Sequence, residues 1–217
     1  MRASNMAKDM RVPSAAVGRV SAEDGTLVEQ ARAGDMAAFA RLVGRYQDRV
    51  LNTCWRMCGR IEDAEDLAQE TFLHALEAIA LFQGRSHFYT WLYRIAVNLA
   101  ISHRRKQARA VKLSLHGQDG QWIGDQAATL VGRVSSEPQD PPGRASAREI
   151  QERLRHGLDE LDDDHRAVIV LRDIEGLDYA EIAEVLELPV GTVKSRLHRG
   201  RMELRRYLQP LAETWRG

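Results

Sequence analysis

Cysteine is almost missing from this chain of 217 residues, which carries two of them. Cys54 and Cys58 stand one helical turn apart inside an apolar stretch, so no disulfide framework is available and both read as reduced core thiols. No second Cys/His pair has ligand spacing, so neither a metal centre nor a cofactor is expected. Long apolar runs are missing too: none approaches the ~18 residues a membrane span needs. Residues 1–20 lack the apolar centre of a secretion signal and read as a flexible leader in a cytoplasmic protein. His74, His87, His103 and His116 are scattered, with no nucleophile–base pair, which argues against an enzyme. There is no internal repeat, and no strand alternation long enough to build a sheet.

A further absence is local. From Ala78 to Gln118 there is no Asp or Glu, while Arg85, Arg94, Arg104, Arg105, Lys106, Arg109 and Lys112 are present. From Asp159 to Glu187 the balance inverts, with only Arg166 and Arg172 opposing the acids. Beyond Pro189 the chain turns basic again through Lys194, Arg196, Arg199, Arg201, Arg205 and Arg206. The formal charge of zero, 31 basic against 31 acidic side chains, is therefore a sum of opposed patches, and the patches indicate partners better than the total does.

What is present is helical periodicity. Apolar residues recur at helical spacing through 26–33, 35–58, 62–81 and 88–106. The pattern dissolves between Gln107 and Ala147, where glycines, serines, Pro138, Pro141 and Pro142 read as a tether. Trp122 leaves open that part of the tether packs. Helical periodicity resumes at about Ala147. The expectation is an all-α protein of two small helical domains joined by a flexible linker: leader 1–23, first domain 24–107, linker 108–146, second domain 147–210, tail 211–217.

In the second domain, Ile182, Ala183 and Leu186 form one apolar stripe, and Leu188-Pro189 interrupts it because proline lacks the N–H of a continuing helix. Val190, Val193, Leu197 and Leu204 then restart the period. Opposite them fall Ser195, Arg199, Met202 and Arg206, flanked by Thr192 and His198. A short helix, a tight turn and a helix with a Ser/His/Arg outer face is the pattern of a helix-turn-helix reading a DNA major groove.

Two segments of the first domain carry further signals. In DAEDLAQETFLHAL, residues Ala64, Leu67, Ala68, Thr71, Phe72, Ala75 and Ile79 share the expected core face. Leu73 and Leu76 fall on the other side among Asp66, Gln69, Glu70 and Glu77. This is either a protein-binding patch suited to a basic partner or a solvated helix with two stray leucines. In the acid-free segment that follows, Gly84 and Ser86 mark a loop before a helix that Ser86 or Thr90 could cap. Leu92, Ile95, Ala96 and Leu99 face inward. Aromatics among cations suit single-stranded nucleic acid, where stacking contributes about 1–3 kcal/mol per base; Trp91 and Tyr93 individually also fit a core.

DAEDLAQETFLHAL, FQGRSHFYTWLYRIAVNLAISHRRK and LDELDDDHRAVIVLRDIEGLDYAEIAEVLELPVGTVKSRLHRGRMELRRYL together resemble, in order, the sigma-70 family of bacterial RNA polymerase sigma factors. The likeness is to the short extracytoplasmic-function group related to envelope-stress sigma factors. It implies a protein that binds core RNA polymerase, opens promoter DNA and directs transcription initiation. It implies that Asp66, Gln69, Glu70, Leu73 and Leu76 meet the coiled-coil clamp of the β′ subunit, with the β flap as a second polymerase contact. Arg85, His87, Phe88, Trp91, Arg94, Asn98 and Arg105 would engage the −10 element, with a flipped base in the 83–87 loop. Thr192, Lys194, Ser195, Arg196, His198 and Arg199 would face the −35 element. By analogy, an anti-sigma factor, often membrane-bound, would hold the protein inactive. The helix-turn-helix alone also resembles LuxR-type regulators, and a polymerase-independent regulator would leave the acidic helix and the acid-free segment unexplained.

Overall fold

The computed structural model describes residues 24–116 and 153–214, which are helical apart from short connections. The expected leader, most of the expected linker, Trp122 and residues 215–217 lie outside them. The first helix, α1, covers residues 24–32. Gly34 then turns at φ 96, and Asp35 caps α2 (Met36–Cys58) by accepting from the Ala37 and Ala38 amides at 2.8 and 3.2 Å, the usual remedy for the unpaired N–H groups of a first turn. Gly59 ends α2 in the left-handed conformation, φ 83. The acidic segment forms α3 (Ile61–Ala78), and a 3-10 turn, Ile79–Leu81, leads toward α4 (Phe88–His116).

The fourth helix runs past the expected end at Lys106, because residues 107–116 contain no glycine or proline and the first breaker is Gly117. His87 precedes its first residue, so neither Ser86 nor Thr90 stands at the cap; Thr90 lies buried in the first turn. Helices α2, α3 and α4 pack around Leu42, Tyr46, Val50, Cys54, Met57, Ala64, Leu67, Ala75, Leu92, Tyr93 and Ala96.

The C-terminal bundle starts with α5 (residues 153–159) and α6 (Asp163–Ile169), which Asp162 caps through the His165 amide at 2.8 Å. The chain continues as a π-turn, Val170–Ile174, to Gly176 at φ 79. Asp178 and Glu181 close a reciprocal capping box on α7 (Tyr179–Leu186), satisfying two first-turn donors at once. The connection to α8 (Val190–Thr214) passes through Glu187, the one non-glycine residue with positive φ among those described, and Pro189. Ile182, Val185, Val193 and Leu197 bury the inner face of this helix pair. Val190, expected on that face, is 39% exposed: it opens α8 before the helix meets the bundle.

Candidate functional surfaces

Three surfaces carry the residues singled out by sequence. On α3, Asp66, Gln69, Glu70 and Leu73 are all exposed, Leu73 to 61%. Its side chain stands among these polar and acidic groups at the edge of an apolar groove. Leu76 differs from its expected placement: it is half-buried and, with Phe72, Leu73, Phe39, Val43 and Leu51, lines a groove of about 500 Å³ between α2 and α3. A single-helix wheel places Leu76 outside because it cannot register the neighbouring helix.

The second surface is the 83–87 loop and the outer side of α4. Arg85, His87, Asn98 and Arg105 are exposed, and Arg94 and Trp91 are half-buried. Phe88 is placed otherwise. Its ring is 5% exposed and packs on Tyr46 at 5.6 Å, Trp91 at 5.7 Å and Phe82 at 6.1 Å between centroids. Tyr89 and Tyr93 are buried as well. The rings of this segment mostly fill the space between helices, which a small bundle must close to bury a core. The residues left facing outward are mainly cationic and amide side chains, with Trp91 at the border.

The third surface is the outer face of α8. Lys194, Ser195, His198 and Arg199 are exposed and Thr192 half-buried, while Val193 and Leu197 between them anchor the helix. Arg196 is not free: its guanidinium lies 2.7 Å from Asp164, which orients it along the bundle. Lys194 lies over the Tyr179 ring at 5.6 Å, and Arg201 is held by Asp173, whose hydrogen bond raises its pKa.

The two bundles touch through polar contacts that sequence reading did not anticipate. Glu175, 5% exposed, accepts from Tyr93 Oη at 2.6 Å, Thr53 Oγ1 at 3.0 Å and Arg49 Nε at 3.3 Å. Burial works against the Arg49 charge, but the neighbouring Tyr93 and Glu175 outweigh it and the guanidinium ends raised. Tyr89 donates to Glu181, Arg94 to Glu187 at 3.3 Å and Arg104 to Asp163 at 2.6 Å. Arg166, fully buried, reaches the Met57 carbonyl at 2.7 Å. The acid-free segment and the acid-rich segment are thus partners of each other within the molecule. The described residues also gather Asp162, His165 and Glu203. His165 Nδ1 lies 2.9 Å from Asp162 and 3.1 Å from Glu203, so the group ties α6 to α8; the 38 residues separating His165 from Glu203 hid it from sequence reading.

Comparison with known proteins follows the same division. Residues 42–110 match the family model for Sigma-70 region 2, and residues 151–204 that for Sigma-70, region 4. The ECF RNA polymerase sigma factor SigW of Bacillus subtilis (strain 168) is 38% identical over 184 residues, 85% of this chain and 96% of that protein. The chain belongs to the extracytoplasmic-function sigma factors of the sigma-70 family. The fold of this sigma factor is similar to CnrH, solved in complex with the cytosolic domain of CnrY, with TM-score 0.61 and 27% identity over 86% of this chain and 97% of that one. It is also similar to the sigma factor RpoE of Bartonella quintana, solved with the anti-sigma factor NepR, with TM-score 0.58 and 23% identity over 79% of this chain and 96% of that one. The region 2 match thus runs from within α2 through α3 into α4, and the region 4 match takes in α5, α6 and α7 and enters α8 as far as Leu204. Among the described residues no helix is long and apolar enough to cross a membrane.

Proposed function

We propose that this sigma factor captures core RNA polymerase with the outer face of α3 and then reads a promoter with two separate surfaces. Asp66, Gln69, Glu70 and Leu73 meet the β′ coiled-coil clamp, with Leu76 and the groove beside it accepting apolar side chains. The β flap is the second contact, on region 4. Arg85, His87, Trp91, Arg94, Asn98 and Arg105 engage the −10 element and its displaced strand, and Phe88 supports them from the core. Thr192, Lys194, Ser195, His198 and Arg199 face the −35 element, with Arg196 at its edge. An anti-sigma factor is the expected inhibitor, and such a partner would confine the protein to the membrane only indirectly.

The protein acts by binding and makes or breaks no bond. Opening the duplex costs about 1.4 kcal/mol per stacking step. Flipped and stacked bases recover part of this, and each good bidentate contact from α8 contributes about 1–3 kcal/mol of base discrimination. The observation that carries the reading is the exposed Leu73 among acids on α3: a self-sufficient helix-turn-helix regulator has no use for it. Reconstitution with core polymerase and a promoter library tests the reading. Arg199→Ala is expected to lower transcripts from −35-dependent promoters roughly tenfold, the loss of one good base contact, with core affinity unchanged. Loss of core binding in that variant, or promoter selection without core, would sink the assignment.

A further inference from the structure

Three cations in the first half of α8 are held by the segment that precedes it, but not by the same kind of partner. Arg196 lies 2.7 Å from Asp164, and Arg201 donates from Nε to Asp173 at 2.9 Å. Each guanidinium commits hydrogen bonds and charge to a carboxylate. Lys194 is exposed and has an aromatic partner instead: its ammonium lies over the Tyr179 ring, 5.6 Å from the centroid. A ring face attracts a cation through its quadrupole and leaves the net positive charge uncancelled.

Tyr179 is itself fixed in place. It is the first residue of α7, whose opening turn is set by the Asp178–Glu181 capping box, and its half-buried ring packs against the core. The Arg172 guanidinium lies over the same ring at 4.8 Å, and its Nη1 donates to the Leu177 carbonyl at 2.5 Å. Arg172 thus ties the π-turn to the start of α7, while Lys194 reaches the ring from α8. A freely moving lysine loses rotamer freedom when it docks on a partner. A ring that already restricts Lys194 reduces that loss, and the charge that DNA attracts is kept.

We propose that Tyr179 is a positioning residue for the −35 surface: its ring holds the Lys194 ammonium on the outer face of α8 with its charge available to DNA, and Arg172 steadies the ring. The proposal rests on the function given above, in which Lys194 faces the −35 element. It separates two roles among the cations of α8. Arg196 and Arg201 brace the helix against its acidic neighbours, whereas Lys194 is oriented and left charged for a partner.

The test uses holoenzyme assembled from core polymerase and the full-length chain, with binding to a −35-dependent promoter fragment followed by fluorescence anisotropy. Tyr179→Leu removes the ring and should weaken promoter binding about two- to fivefold, the range of an exposed cation–π contact. Tyr179→Phe keeps the ring and should match the wild type. In a Lys194→Ala background, Tyr179→Leu should have no further effect, because the two residues act as one unit. Progressively fluorinated phenylalanines at position 179 weaken the ring's hold on a cation with little change of shape. Promoter affinity should fall stepwise along that series and stay level in the Lys194→Ala background, a pattern that a packing defect does not give. Equal losses in Tyr179→Phe and Tyr179→Leu would overturn the proposal and assign the role to the hydroxyl. A level fluorine series with Lys194 present overturns it too, whatever Tyr179→Leu does to folding. Wild-type holoenzyme indifferent to the −35 sequence would instead overturn the functional reading of α8, and this shows before any variant is made.

Discussion

At Cys54 the folded protein withholds a proton that the unfolded chain gives up readily. The thiol is fully buried on α2, and burial, with Cys58 adding to it, pushes its pKa up from 9.0 to about 12. Cys58 is raised too, again first by burial. Tyr46 and Tyr93 behave alike: burial is the main cause, joined by Asp24 for Tyr46 and by Glu175 for Tyr93. All these acids have folded pKa values above their unfolded ones. Their contribution is therefore complete below the unfolded values and is lost as pH rises toward the folded ones. Stability to urea should fall from about pH 9 upward, Cys54 accounting for up to about 1.4 kcal/mol per pH unit. Cys54→Val should flatten the early part of that slope, and an identical slope in the variant would refute the assignment. The same burial makes both thiols poor nucleophiles at neutral pH, which fits packing rather than redox chemistry.

Among the elements, α8 shows two opposing effects at one position. Gly200 lies inside the helix, where alanine would ordinarily gain about 1 kcal/mol in helix propensity. A Cβ there, however, would meet Ile169 Cδ1 at 2.9 Å, His165 Cβ at 3.2 Å and the His165 carbonyl at 3.3 Å. The isoleucine tip can move, whereas the α6 backbone cannot give without repacking, and overpacking costs about 1–3 kcal/mol. Overpacking should win: Gly200→Ala is expected to destabilise region 4 by about 1 kcal/mol, measurable by urea denaturation. Transcription from −35-dependent promoters should drop with it while core binding holds. The stripe of Val193 and Leu197 and the opposed row of Ser195 and Arg199 could be read from spacing alone, because a recognition helix advertises both faces within one segment. Leu73 was legible for the same reason. Leu76, Phe88 and Gly200 were not, since what each touches belongs to another helix.

For the whole molecule, the unequal distribution of charge was visible in the sequence, but the identity of the opposing surfaces was not. Glu175 is an ordinary acidic residue in its own segment, and its donors Thr53 and Arg49 stand 122 and 126 positions away, beyond any local pattern. The acid-free stretch pointed to nucleic acid; folding shows that it also serves region 4, where Arg94, proposed above for the −10 element, is paired with Glu187. Once both regions are held on polymerase, the second DNA contact becomes effectively intramolecular and avidity exceeds either affinity alone by about 10²–10⁴. Phosphate contacts of the basic surfaces supply only salt-sensitive, sequence-independent binding without it. The isolated protein should therefore give no selective promoter footprint at physiological salt, and adding core polymerase should produce one over both elements. A selective footprint from the free protein, undiminished between low and physiological salt, would show that tethering on polymerase does not govern promoter choice.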